Sequence, residues 1–145
     1  QMATVEAEIM ARIEDPDLTA SFAILTSIPG VSTVTAFALI IDMPELGTLD
    51  AGEAAALAGV APMTRQSGQW RGRAFIAGGR ATLRQALYMP ALVAARVNPD
   101  LKAKYQALRA SGNPPKVAIT ALMRKLVVLA NALIKANRKW TPKSA

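Results

Sequence analysis

Apolar residues recur along this chain at spacings of three and four, which predicts helices almost throughout. Met2, Val5, Ile9 and Ile13 form a first stripe, with Glu6 and Glu8 on other faces. No capping residue precedes that stripe, so the chain reads as starting within a longer helix that follows an upstream domain. Asp15-Pro16 supplies an N-cap and a proline at the first helical position of a second helix, whose stripe is Leu18, Phe22 and Leu25. A third helix is expected from about Thr33 to Ile41, ended by Met43-Pro44. Asp50 and Glu53 have capping-box spacing for a short helix from Ala51 to Ala58, stopped by Gly59. Leu83, Leu87, Ala91 and Ala94 mark the buried side of a helix from about Arg80 to Val97, in which Pro90 predicts a kink. Asn98-Pro99 caps the next helix, with Leu101, Tyr105 and Leu108 inward and Lys102 and Arg109 outward. After the break Ser111-Gly112-Asn113-Pro114-Pro115, a last helix from about Lys116 to Asn137 is expected to bury Val117, Leu122, Leu126, Leu129 and Leu133.

The pattern therefore predicts an all-α fold of six or seven helices. The only sheet it admits is a short β-hairpin pairing residues 63–66 with 72–76. Residues 1–14 read as the end of a longer helix, coiled-coil in one reading. Residues 15–145 form the domain, with a helical hairpin at about 18–41.

A chain of 145 residues with 52% hydrophobic content is long enough for one domain with a real core. It has no cysteine, which excludes disulfides and thiolate chemistry and fits a reducing compartment. It has no histidine, so a Ser-His-Asp triad or a histidine-ligated metal cannot be built from this chain alone. The acidic N-terminus lacks the apolar segment of a signal peptide. The longest apolar run, Leu126 to Ile134, is shorter than the ~20 residues that cross a bilayer.

Charge changes the picture more. Residues 1–53 hold nine acids and one base, Arg12, whereas residues 54–145 hold sixteen bases and one acid, Asp100. The halves carry −8 and +15, which gives the net +7. Such a split predicts an electropositive face suited to nucleic acid and an acidic flank elsewhere.

The bases gather around one hydroxyl. Ser67 is the only serine between Ser32 and Ser111, and Arg65, Arg71, Arg73, Arg80 and Arg84 surround it in sequence. No Asp or Glu occurs from Ala54 to Pro99. A nucleophile aimed at a phosphodiester needs such surroundings, because guanidinium groups bind phosphate oxygens bidentately and stay charged. Gly68 permits a backbone shape that exposes the hydroxyl. The alternative is a solvated surface loop. Trp70 either stacks on a base or anchors the loop to the core.

A second candidate lies earlier. Ser27-Ile28-Pro29-Gly30-Val31 joins two short helices as in a helix-hairpin-helix unit, where backbone N–H groups at the glycine turn grip a DNA phosphate. A plain helical hairpin fits the same residues.

Laid out in order, these segments resemble the C-terminal transposase domain of the insertion-sequence 110/116/902 family. The series is Leu25-Thr26-Ser27-Ile28-Pro29-Gly30-Val31, Thr35-Ala36, Leu57-Ala58-Gly59-Val60-Ala61-Pro62, Arg65-Gln66-Ser67-Gly68, Gly79, Leu83-Arg84, Leu87, and the helix from Lys116 to Leu126. It covers about Phe22 to Trp140. Val60 replaces the family's usual leucine, and Ala77-Gly78 stand where a basic residue commonly precedes Gly79. Arg80 is the nearest base able to replace that contact.

The resemblance implies a DNA transposase of the serine-recombinase type, working in the prokaryotic cytoplasm on the nucleoid. Ser67 would attack a DNA phosphodiester and form a phosphoserine link. Arg65, Gly68, Arg71, Arg73, Arg80, Arg84 and Gly30 would hold phosphates. The resemblance also implies an N-terminal RNase H-like domain whose acidic cluster binds Mg²⁺, and a structured guide RNA; no cofactor is expected from this stretch itself. The carboxylates from Asp42 to Glu53 read as helix ends and caps, so the group that activates Ser67 is expected from outside it. Two other classes compete: a non-catalytic helix-hairpin-helix DNA-binding module, and a helical oligomerisation domain. Self-association as a dimer or higher oligomer is expected from the stripe Met2, Val5, Ile9 and Ile13 and from the wide apolar arc of the last helix.

Overall fold

The computed structural model describes residues 16–59 and 81–142. The stripe at Met2–Ile13, the β-hairpin expected within 63–76, and Ser67 with most of its arginines lie outside the described residues. Within them are six helices: α1 Pro16–Thr26, α2 Thr33–Asp42, α3 Ala51–Leu57, α4 Ala81–Val97, α5 Pro99–Ala110 and α6 Pro115–Ala136. The fold is all-α, as the periodicity requires.

Local chemistry sets the boundaries. Ser32 caps α2, its Oγ accepting from the Thr35 N–H at 3.2 Å. Asp50 and Glu53 complete the capping box of α3: Asp50 Oδ1 accepts from Glu53 N–H at 2.7 Å and Glu53 Oε1 from Asp50 N–H at 3.0 Å. Each bond satisfies an amide that a helix start otherwise leaves unpaired. At the far end of α6, Asn137 takes the left-handed conformation (φ 55°, ψ 49°). The Arg138 N–H then reaches Leu133 O and the Asn137 N–H reaches Ile134 O, both at 3.0 Å, closing the helix by a Schellman motif. α4 runs unbroken through Pro90.

α6 is the central helix, and α1, α3, α4 and α5 all pack against it. Ile119, Leu122, Met123, Leu126, Val127, Ala130 and Leu133 are buried along it. α4 packs on α6, and its buried residues Leu83, Leu87, Ala91 and Ala94 are the stripe read from sequence. α1 and α2 form the helical hairpin, joined by the stacked rings of Phe22 and Phe37 with centroids 4.9 Å apart. Burying each of the larger side chains contributes on the order of 2 kcal/mol.

Two sequence expectations are corrected. Val117 was expected inside but is 50% exposed, and Leu18 is 38% exposed. At about 100° per residue, Val117 stands about 140° around α6 from Leu122, so the buried arc passes through Ala118 and Ile119 instead. Leu18 lies in the first turn of α1, whereas the core is reached later in the helix by Ile24 and Leu25.

By length and composition α6 could cross a membrane, although its longest uninterrupted apolar run is short. Half of that window is buried inside the fold, as befits a core helix.

Candidate nucleic-acid interface

The serine-bearing stretch leaves the described fold after Gly59, directly behind α3, and returns at Ala81, the first residue of α4. Both α3 and α4 rest on α6, so one helix supports both ends. Ser67, Arg65, Gly68, Arg71, Arg73 and Arg80 lie between those ends, outside the described residues. Of the predicted site residues, Arg84 and Gly30 remain.

Arg84 is exposed in the first turn of α4. Gly30 has φ 106° in the α1–α2 turn and sits against Ala94, in the other half of α4. Ten residues of α-helix separate Ala94 from Arg84, roughly 15 Å along the axis. The structure thus keeps the hairpin turn and Arg84 apart along one helix instead of joining them at a point.

The turn itself is held from two sides. The Asn98 side chain, fully buried, donates from Nδ2 to Pro29 O at 3.3 Å. Its Oδ1 accepts from the Asp100 and Leu101 N–H groups at 3.1 and 3.2 Å, capping α5. Ser27 Oγ donates to Ile24 O at 2.5 Å and accepts from the Trp140 N–H at 2.9 Å. Beyond the turn, Ser32, Thr33 and Val34 at the start of α2 are exposed. The α1–α2 hairpin therefore presents the N-terminus of α2 outward while its turn is locked to α4, α5 and the C-terminal segment.

Charge follows the same division. Residues 16–59 contain five acids and no base; residues 81–142 contain eleven bases and one acid, Asp100. Arg84, Arg96, Lys102, Lys104, Arg109, Lys116, Lys125, Lys135, Arg138 and Lys139 are exposed on α4, α5, α6 and the segment after them. Arg109 is oriented by donating from Nη1 to Asn113 O at 3.0 Å. Asp50 and Glu53 serve as caps, and among the described residues no three of His, Cys, Asp and Glu gather as a metal-binding group.

Sequence reasoning missed one residue that organises the region. Asn131 is buried in α6. Its Oδ1 accepts from the Gly47 N–H at 2.6 Å and the Leu49 N–H at 3.4 Å, and its Nδ2 donates to Leu49 O at 2.7 Å. The available signal was a single amide inside the apolar run Leu126 to Ile134, since a buried amide needs partners.

The described domain is all-α, and its exposed bases lie on α4, α5, α6 and the segment after them, a charge distribution of the kind that attracts polyanions. The chain belongs to the Transposase IS116/IS110/IS902 family, whose model matches residues 22–106. It is 30% identical over 138 residues to the insertion element IS110 uncharacterized 43.6 kDa protein of Streptomyces coelicolor, covering 93% of this chain and 33% of that protein. It is also 30% identical over 129 residues to the pilin gene-inverting protein of Moraxella bovis and, equally, to that of Moraxella lacunata, covering 86% of this chain and 40% of each relative. The chain spans between a third and two-fifths of the length of these relatives.

Proposed function

We propose that this chain is the serine-bearing part of a DNA transposase. Ser67 Oγ attacks a phosphodiester, the new O–P bond forming as the bond from phosphorus to the departing strand oxygen breaks. The proton lost by the serine passes to solvent or to a group outside this chain, and the departing strand leaves with its own proton restored. Reversal with a different strand rejoins the DNA without an energy-carrying co-substrate, because the phosphoserine conserves the bond. Family membership supports this reading, and so does the name of the Moraxella relatives: inverting a gene requires strands to be cut and rejoined. The observation that carries it is a lone serine set among Arg65, Arg71 and Arg73 in a stretch free of acids. The arginines stabilise the charge that grows on the attacked phosphate.

In this reading Arg80, and Arg84 on α4, add further phosphate contacts, and Gly68 exposes the hydroxyl. The longer relatives leave room for a second domain; an RNase H-like acidic domain holding Mg²⁺, a guide RNA and a homo-oligomeric assembly complete the proposal. The test uses the full-length protein and duplex DNA from the flanks of its gene. Ser67→Ala abolishes a covalent protein–DNA adduct resistant to denaturant; persistence of that adduct overturns the assignment.

The exposed start of α2 behind the locked Pro29-Gly30 turn favours a helix-hairpin-helix contact within the same protein. There the amides of α2 hold a phosphate without reading sequence. If neither the native protein nor Ser67→Ala forms an adduct while DNA binding persists, this contact stands alone as the function.

A further inference from the structure

α4 has a side that its place in the core does not use. The helix packs on α6, α5 and α2, and Leu83, Leu87, Ala91 and Ala94 are buried. Its other side meets water. Tyr88 is 48% exposed there and Met89 is 60% exposed. Arg84, Gln85 and Arg96 are exposed around them, and Leu92, one turn on, is partly buried. At about 100° and 1.5 Å per residue, Arg84, Tyr88, Leu92 and Arg96 fall within about 120° of the helix circumference and span roughly 18 Å of its axis.

Single exposed apolar residues are ordinary on a protein surface. Here Tyr88 and Met89 adjoin, and Leu92 follows both by one turn, so the apolar strip is continuous. The chain's other tyrosine, Tyr105, packs against the core instead. Among the described residues no carboxylate pairs with Arg84 or Arg96, and the Tyr88 hydroxyl has no hydrogen-bond partner. No Asp or Glu occurs from Ala54 to Pro99, and the one acid of this half, Asp100, belongs to α5. An aromatic ring set in water between unpaired guanidinium groups has the two contacts a nucleic-acid strand needs: a surface for a base and cations for phosphates.

We infer that this face of α4 is a stacking platform for an unpaired DNA strand, with a base on the Tyr88 ring and phosphates on Arg84 and Arg96. This rests on reading the protein as a DNA transposase, but not on Ser67. Arg84 precedes Tyr88 by one turn, about 6 Å along the axis, which is comparable with the distance from a base to its own phosphate. In a duplex each base is covered by its stacked neighbours, so a ring on a helix surface cannot lie against it. Cutting and rejoining a gene leaves bases unpaired, and a strand in that state is the occupant this face fits. Stacking accepts every base, so the platform adds affinity without sequence preference.

The experiment uses the full-length protein, a short fluorescein-labelled oligothymidylate, the matching oligouridylate and a duplex of equal length, with affinities read by anisotropy. Tyr88→Ala should weaken oligothymidylate binding about ten- to a hundredfold and duplex binding by less than about twofold. Its salt slope should not change, because no charge is lost, whereas Arg84→Ala should flatten the slope for both DNA forms. Tyr88→Phe keeps the ring and should bind as the native protein does. A strand carrying 5-iodouracil should cross-link on irradiation to the peptide that contains Tyr88. Should Tyr88→Ala lower the melting temperature, Tyr88→Leu, which keeps apolar bulk without a ring, decides by the same readings. Unchanged oligothymidylate binding in Tyr88→Ala and Tyr88→Leu overturns the inference. So does an equal loss for single strand and duplex, or a loss in Tyr88→Phe as large as in Tyr88→Ala. Oligouridylate bound more tightly than oligothymidylate, with the same dependence on Tyr88, would assign the face to RNA and overturn the choice of DNA. An adduct that survives Ser67→Ala while the Tyr88 effect persists would mark failure of the serine reading and leave this platform standing.

Discussion

Gly30 lies directly against Ala94: a Cβ built on the glycine would stand 2.8 Å from the alanine Cβ and 3.0 Å from its Cα. The α1–α2 turn and α4 meet at this point with nothing between them. Gly30 also holds φ 106°, a conformation that side-chain-bearing residues rarely adopt. Gly30→Ala must therefore bear both the backbone strain and the overlap with α4. We expect it to destabilise the domain by about 2–4 kcal/mol, measured by urea denaturation. Ala94→Gly in the same chain removes the Cβ part of the overlap and leaves the backbone strain, so the double variant should recover part of the loss. Full additivity of the two single changes would sink this account.

Asn98 ties the same turn to α5. Asn98→Ala removes the cap of α5 and the donor to Pro29 O together, at an expected cost of about 1–3 kcal/mol. Asn98→Asp keeps the cap and loses only the donor to Pro29 O. It should cost less than Asn98→Ala in thermal denaturation, and an equal or larger loss would show that the bond to Pro29 O outweighs the cap.

The outward position of Val117 makes a simpler contrast. Val117→Lys should change stability by less than about 0.5 kcal/mol, because half of the side chain already meets water. Leu122→Ala, at a fully buried site one turn on, should cost about 2–5 kcal/mol. Equal effects would mean that the register of α6 is wrong.

These contrasts show where the sequence could be read and where it could not. Caps and breaks are local chemistry, so Asp50 with Glu53, Asn98-Pro99 and Pro114-Pro115 marked helix starts to within a residue. The α4 stripe was legible because alanine and leucine alternate with polar positions. α6 was harder: it is apolar over most of its circumference, so periodicity alone could not choose between Val117 and Ile119 as the first buried residue. The tertiary roles of Asn131, Asn98 and Ser27 depend on groups 84, 69 and 113 residues away in sequence, which no local pattern encodes. The Ser67 cluster was visible as chemistry, whereas its spatial arrangement lies outside the described residues.

The division of charge yields the last prediction. The chain should bind duplex DNA weakly and with little sequence preference, through the half that carries the bases. If about four to six phosphates are contacted, log K should fall against log salt with a slope of about −4 to −5. Arg84→Ala, at an exposed guanidinium on α4, should flatten that slope by about one unit and weaken all sequences alike. Ser67→Ala should leave the slope unchanged, since a neutral hydroxyl releases no counterion. Asp50→Asn, on the base-free half, should leave it unchanged as well, although it weakens the α3 cap. With Mg²⁺ and supercoiled plasmid the chain by itself should produce no nicks, because Asp50 and Glu53 act as caps and no metal-binding group forms among the described residues. Fluorescence anisotropy between low and moderate salt measures the slopes, and gel electrophoresis of the plasmid reads the nicking. An affinity that ignores salt would remove the electrostatic basis of the interface. Nicking that depends on Ser67 would show that the residues activating the serine lie within this chain.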